Sequence, residues 1–306
     1  MKEMFFLQKV TTHRNFWLIV SLSAGLLLPA GAMALRQWLP LFLGLLMTVS
    51  FAGFSLSSLL PLRTLPRRLL GPFLINYLLF GFVLMGLAAL FVGSDKDLLK
   101  GFLFIALAPP GIVIVPFALM LRGDADLAST GVIGGYLAFV VFFPLAVIIF
   151  WGGQLGIMSE VLKMVIFIIL LPLLISRPLR RGGAGRWLLP RRGWLIDAGF
   201  AIIVYIIVGL NQNSFTTSIS TLLKPMLVLA LILFGGGLIY EQIQLRIKMP
   251  DAQRISNTLL FSVKNTGFAA VTSVALAGER AAIPSAALSV VLLVYLLIFS
   301  LRKSGA

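Results

Sequence analysis

The chain has 306 residues, 59% of them hydrophobic and only 11% charged, with a formal net charge of +15. Soluble domains carry about 25% charged residues, so no water-soluble fold hides this much apolar surface. Without cysteine, disulfides and thiolate metal sites are excluded, and a basic excess that flanks apolar runs reads as membrane topology rather than nucleic-acid binding.

Hydropathy places ten spans, at 15–35, 39–59, 69–93, 101–121, 127–150, 161–179, 195–213, 221–241, 254–278 and 281–301. Each is close to the length a helix needs to cross about 30 Å of hydrocarbon. The ten-residue alternation of a membrane β-barrel is absent. The first run is too long for a signal-peptide core and reads as a mature helix, with His13 an interfacial residue before it. Loops are short, so neighbouring helices run antiparallel and 1–306 forms one transmembrane unit without a soluble domain.

In chain order, the third span contributes Asn76, a lone amide in an apolar run, suited to a cavity or to a helix–helix hydrogen bond. The fourth holds Pro109-Pro110-Gly111 at its middle. Two prolines remove consecutive donors and clash with the preceding turn, so the helix breaks there. Gly134-Gly135 and Gly235-Gly236-Gly237 read as close helix packing rather than phosphate loops. Residues 180–192 form the longest basic loop, and Asp197 and Glu241 fall at span ends as interfacial residues.

The ninth span holds Lys264-Asn265-Thr266-Gly267, with the only ionisable side chain near a span centre. An intramembrane charge costs at least about 2.5 kcal/mol on insertion scales and marks function. Lys264 has no buried carboxylate in the sequence to pair with. It either meets a substrate anion, carries a proton, or stands in permanently for a coupling cation. Broken helices at the membrane midplane expose backbone groups that transporters use to hold solutes and ions. The candidate substrate-binding residues are thus Lys264, Asn265, Thr266, Pro109, Pro110, Gly111 and Asn76. Walker, nucleophile-elbow and His/Glu metal spacings are absent; neither a cofactor, a metal nor enzymatic activity is expected.

Counting Lys and Arg on alternate sides gives eighteen against six, which places both termini in the cytoplasm of a bacterial inner membrane. Ten spans divide into two five-helix repeats, 15–150 and 161–301. An odd-numbered repeat is inverted relative to its copy. Gly123-Asp124 follows the first break and Gly278-Glu279 the second, at similar separations.

Ala108-Pro109-Pro110-Gly111 with Arg122-Gly123-Asp124, and Val263 to Ala269 with Ala282-Ile283-Pro284-Ser285-Ala286, resemble the fourth and ninth helices of the bile acid:sodium symporter family. The resemblance implies a panel of helices 1, 2, 6 and 7. It also implies a core of helices 3–5 and 8–10 in which broken helices 4 and 9 cross at the midplane, with a small organic anion bound between panel and core and moved by alternating access. The family's sodium ligands fall on Ile114, Val115, Ala128, Val132 and Leu260, and its ninth-helix glutamine on Lys264. None of the five offers a side-chain oxygen, so sodium coupling is not expected. Auxin-efflux-like or other proton-coupled carriers, which share an Asn-Thr-Gly at such a break, are the alternative; a channel or intramembrane enzyme fits less well.

Overall fold

A computed structural model describes residues 14–53, 62–151, 155–212 and 219–304. Lys2, Lys9 and His13 lie outside the described residues. The protein is an all-α polytopic membrane protein. Among the described residues, seven helices are long and apolar enough to cross a membrane: Pro29–Ala52, Leu65–Val92, Ala125–Phe150, Met158–Arg181, Gly183–Leu210, Leu222–Arg246 and Arg280–Lys303. Spans expected at 15–35, 101–121 and 254–278 consist of shorter pieces among the described residues.

The chain divides into two compact units, 1–53 with 160–219, and 54–159 with 220–306. In the first unit the helix Arg14–Leu27 stops at Leu28, whose backbone (φ −129°, ψ 57°) leaves the helical region, and Pro29 starts the next helix. The break falls inside the span expected at 15–35, because Pro29 blocks continuation and the residue before proline is pushed out of the helical well. Tyr205 closes the corner by donating its hydroxyl to Leu28 O at 2.9 Å. The basic stretch 180–192 is not a loop. Only Gly182 is extended, and the helix Gly183–Leu210 begins immediately after it.

The second unit contains both interrupted helices. Helix Lys96–Leu107 ends at Ala108, and helix Ile114–Met120 resumes the direction. Helix Asp251–Ser262 ends at Val263, and helix Thr266–Ala277 resumes it. The two interrupted helices run antiparallel. Asp95 meets Arg280 at 2.6 Å at one end, and Asp124 N–H donates to Ala252 O at 2.9 Å at the other. Gly278 (φ 87°) ends one interrupted helix, as the Gly-acid turn suggests, but at the matching turn the left-handed residue is Arg122 (φ 59°), not Gly123.

Glu241 lies near the end of its span, as expected, but is not open to solvent. It is 5% exposed, and it pairs with Arg302 at 3.3 Å and with Lys303. The packing expected of Gly235 to Gly237 holds only in part: Gly237 lies beside Tyr295 and Ser262 and Gly236 beside Phe261, whereas a Cβ at Gly235 would meet nothing within 4 Å.

Asp95 caps helix Lys96–Leu107 by accepting from Leu98 N–H at 3.1 Å. Partial burial raises its carboxyl pKa, but Arg280 and the N–H groups of Leu98 and Asp97 outweigh this and hold it below its ordinary range. A carboxyl with a lowered folded-state pKa contributes stability that is present above the unfolded pKa and lost as pH falls. Asp95→Ala is therefore expected to cost about 1 kcal/mol at neutral pH, the usual worth of a cap. In thermal melts of the purified protein the gap from the parent should narrow as the pH drops below about 4.

Candidate functional site

The site is built where the two interruptions touch. Gly111 N–H donates to Val263 O, and Asn265 N–H donates to Pro109 O, both at 2.9 Å. These bonds make a one-residue antiparallel bridge with Pro110 opposite Lys264. The backbones approach this closely because position 111 has no Cβ; one built there would meet Val263 Cγ1 at 2.8 Å and Lys264 O at 3.0 Å. Gly135 plays the same part for the helix Ala125–Trp151, whose face lies against the Pro110 ring.

Lys264 is 1% exposed. Its ammonium donates to Asn76 O and Asn76 Oδ1, both at 2.8 Å, to Ala106 O at 3.0 Å and to Ala108 O at 3.1 Å. An ammonium has three donors, so four oxygens saturate it. The ring faces of Tyr77 and Phe80 lie 4.8 and 5.1 Å from Nζ and add cation–π attraction.

Each backbone oxygen of the cage is made available by a local defect. Within an uninterrupted helix Ala106 O would bond the N–H four residues on, but that residue is Pro110, which has none. Ala108 O is freed because the helix has already ended. Asn76 sits in a π-helical segment, Leu74–Leu79, where Phe80 N–H reaches back to Ile75 O and so does not take Asn76 O. The ammonium also meets the C-terminal end of helix Lys96–Leu107, where the helix dipole is negative and favours a cation.

Asn76 fixes the cage from its other side by donating Nδ2 to Leu260 O at 2.7 Å. Asn265 takes no part in the cage. Its Oδ1 accepts from Phe268 N–H at 2.9 Å, capping helix Thr266–Ala277, and its Nδ2 donates to the Tyr136 hydroxyl. Thr266 is the first residue of that helix and is buried. Lys264, Asn76, Pro109, Pro110, Gly111 and Asn265 thus converge, and Thr266 adjoins them. Ile114, Ala128, Val132 and Leu260 are fully buried and apolar, and Leu260 packs against Gly131.

Tyr77, Phe80 and Tyr136 were missed in the sequence. The signal for Tyr77 was its place beside Asn76; for Tyr136 it was its place after Gly134-Gly135. Tyr77 donates its hydroxyl to Gly135 O at 2.8 Å, tying the π-helical segment to the same helix that meets Pro110. Compared with known proteins, the sequence matches no family model, and no curated protein is significantly similar to it.

Proposed function

We propose that the protein is a secondary transporter of a small organic anion, working by alternating access without sodium coupling. The observation that carries this reading is the Lys264 ammonium enclosed by four protein oxygens where two interrupted helices cross. Such crossings are the solute and ion sites of secondary carriers. Here the cation position is filled by a side chain, and the buried side chains of Ile114, Ala128, Val132 and Leu260, where the resembling family places its ion ligands, carry no oxygen.

Ten spans in two inverted five-helix repeats fit the same reading. Of the π-helical segments at Leu74–Leu79, Ile166–Leu170 and Leu231–Gly236, the first and last lie in the third and eighth spans, which such a repeat would superpose. The two breaks occupy equivalent places in the fourth and ninth. With both termini cytoplasmic, the basic residues fall mainly on the inner side. The organic-anion assignment rests on the resemblance to the bile acid:sodium symporter family in the two broken helices, and the division into two units agrees with its panel and core.

A thermal-shift screen of small carboxylates on the purified protein tests this. The carboxylates that raise the melting temperature should do so equally in sodium and potassium at constant ionic strength, since only ligands of the native state stabilise it. The same compounds should show saturable uptake into vesicles. A saturable stabilisation by sodium, absent with potassium, overturns the sodium-free reading; failure of every carboxylate to bind overturns the substrate class.

A further inference from the structure

We propose that the cleft at the Gly182 turn binds the phosphate head group of an anionic phospholipid. Arg180, Arg181, Arg186, Gly182, Leu189 and Pro190 line this cleft, whose volume is about 440 Å³. That falls within the size of small-ligand pockets, roughly 300–1,000 Å³. The charge around it has one sign. Arg177, Arg180, Arg181, Arg186, Arg191 and Arg192 lie within sixteen residues, and there is no acidic residue between 161 and 196. Guanidinium groups match phosphate oxygens in paired hydrogen bonds, and basic pockets at membrane-helix ends suit lipid head groups.

The surroundings favour a lipid over a free anion. Trp187 and Trp194 are 55% and 47% exposed on the helix that leaves the cleft, and Arg191 lies 5.1 Å over the Trp187 ring. Exposed tryptophans beside cationic groups mark the head-group level of a bilayer. On the helix that enters the cleft, Leu174 and Ile175 are exposed, and Leu189 is exposed at its rim. Acyl tails have an apolar face to follow here, which a bare phosphate would leave unused. This proposal needs only that the chain lies in a bilayer and is independent of transport.

Native mass spectrometry of the full-length protein in neutral detergent tests it, with phosphatidylglycerol, phosphatidylcholine and inorganic phosphate as separate probes. The parent should retain phosphatidylglycerol about tenfold over phosphatidylcholine, and millimolar phosphate should not displace it. Arg180→Gln with Arg181→Gln and Arg186→Gln should abolish the preference. Removing equal charge elsewhere, with Arg63→Gln, Arg67→Gln and Arg246→Gln, should leave it intact. If the first variant fails to fold, Arg180→Lys with Arg181→Lys and Arg186→Lys keeps the charge, loses the paired geometry, and should reduce the preference severalfold. Equal retention of both lipids by the parent overturns the proposal, as does a preference that survives the cleft variants. Displacement of the lipid by inorganic phosphate overturns the lipid assignment in favour of a soluble anion.

Discussion

Lys264→Met is expected to destabilise the purified protein by about 1–3 kcal/mol for the buried acceptors it leaves unpaired, less what is regained by no longer burying a charge. Methionine keeps the length of the stem, so little packing is lost. It leaves Asn76 O, Asn76 Oδ1, Ala106 O and Ala108 O without the donor they share in the structure. Buried acceptors without a donor carry the full desolvation penalty. Lys264→Gln should fall between parent and Met, because its amide supplies two donors but no charge.

Lys264→Ala separates a stand-in for a cation from a lysine that merely packs. It vacates the cage, so methylammonium should raise its melting temperature while choline, too large to enter, should not. A substrate anchor predicts something different: Lys264→Gln would lose anion binding with the melting temperature unchanged. A proton carrier predicts loss of pH dependence while binding persists. Parent-like melting of Lys264→Met would sink the structural part of the argument, whatever happened to transport.

Gly111→Ala should cost about 1–3 kcal/mol, the usual penalty of overpacking. The added methyl would meet Val263 Cγ1 and the Lys264 carbonyl. One obstacle is backbone, which yields only if the Pro110–Lys264 bridge opens. Gly86→Ala is the control of opposite sign. Gly86 lies inside helix Phe80–Val92 with nothing within 4 Å of its would-be Cβ, so alanine should gain about 0.5–1 kcal/mol there. Circular-dichroism melts of both variants beside the parent decide the matter. Equal melting temperatures would show that the crossing tolerates separation and that its close contact is incidental.

Much of this was legible in the sequence, and for physical reasons. Consecutive prolines at 109 and 110 have one structural outcome in a helix, and a single lysine among apolar residues stands out by cost alone. What was not legible depended on long-range pairing. Asn76 and Lys264 are 188 residues apart, and neither names the other. The π-helical turn around Asn76 has no compositional mark, so the carbonyl it sets aside was invisible, as were the Tyr77 and Tyr136 contacts. The corner at Leu28 was visible in principle through Pro29, but an unbroken apolar run hid it. At 180–192 a run of arginines suggests a loop, whereas Trp187, Leu188 and Leu189 belong to a helix that starts at Gly183.

The stem of Lys264 has an energetic corollary. An ion held by oxygens alone exchanges with the solution on either side, and its gradient does work each time it crosses with a solute. An ammonium joined to the chain by four methylenes never leaves, so its local concentration is fixed by geometry and not by salt. Nothing is loaded or discharged at that position during a cycle. A carrier built this way spends no step waiting for the ion, and it draws no driving force from it; its solute then moves only down its own gradient unless another coupled species supplies the work of accumulation.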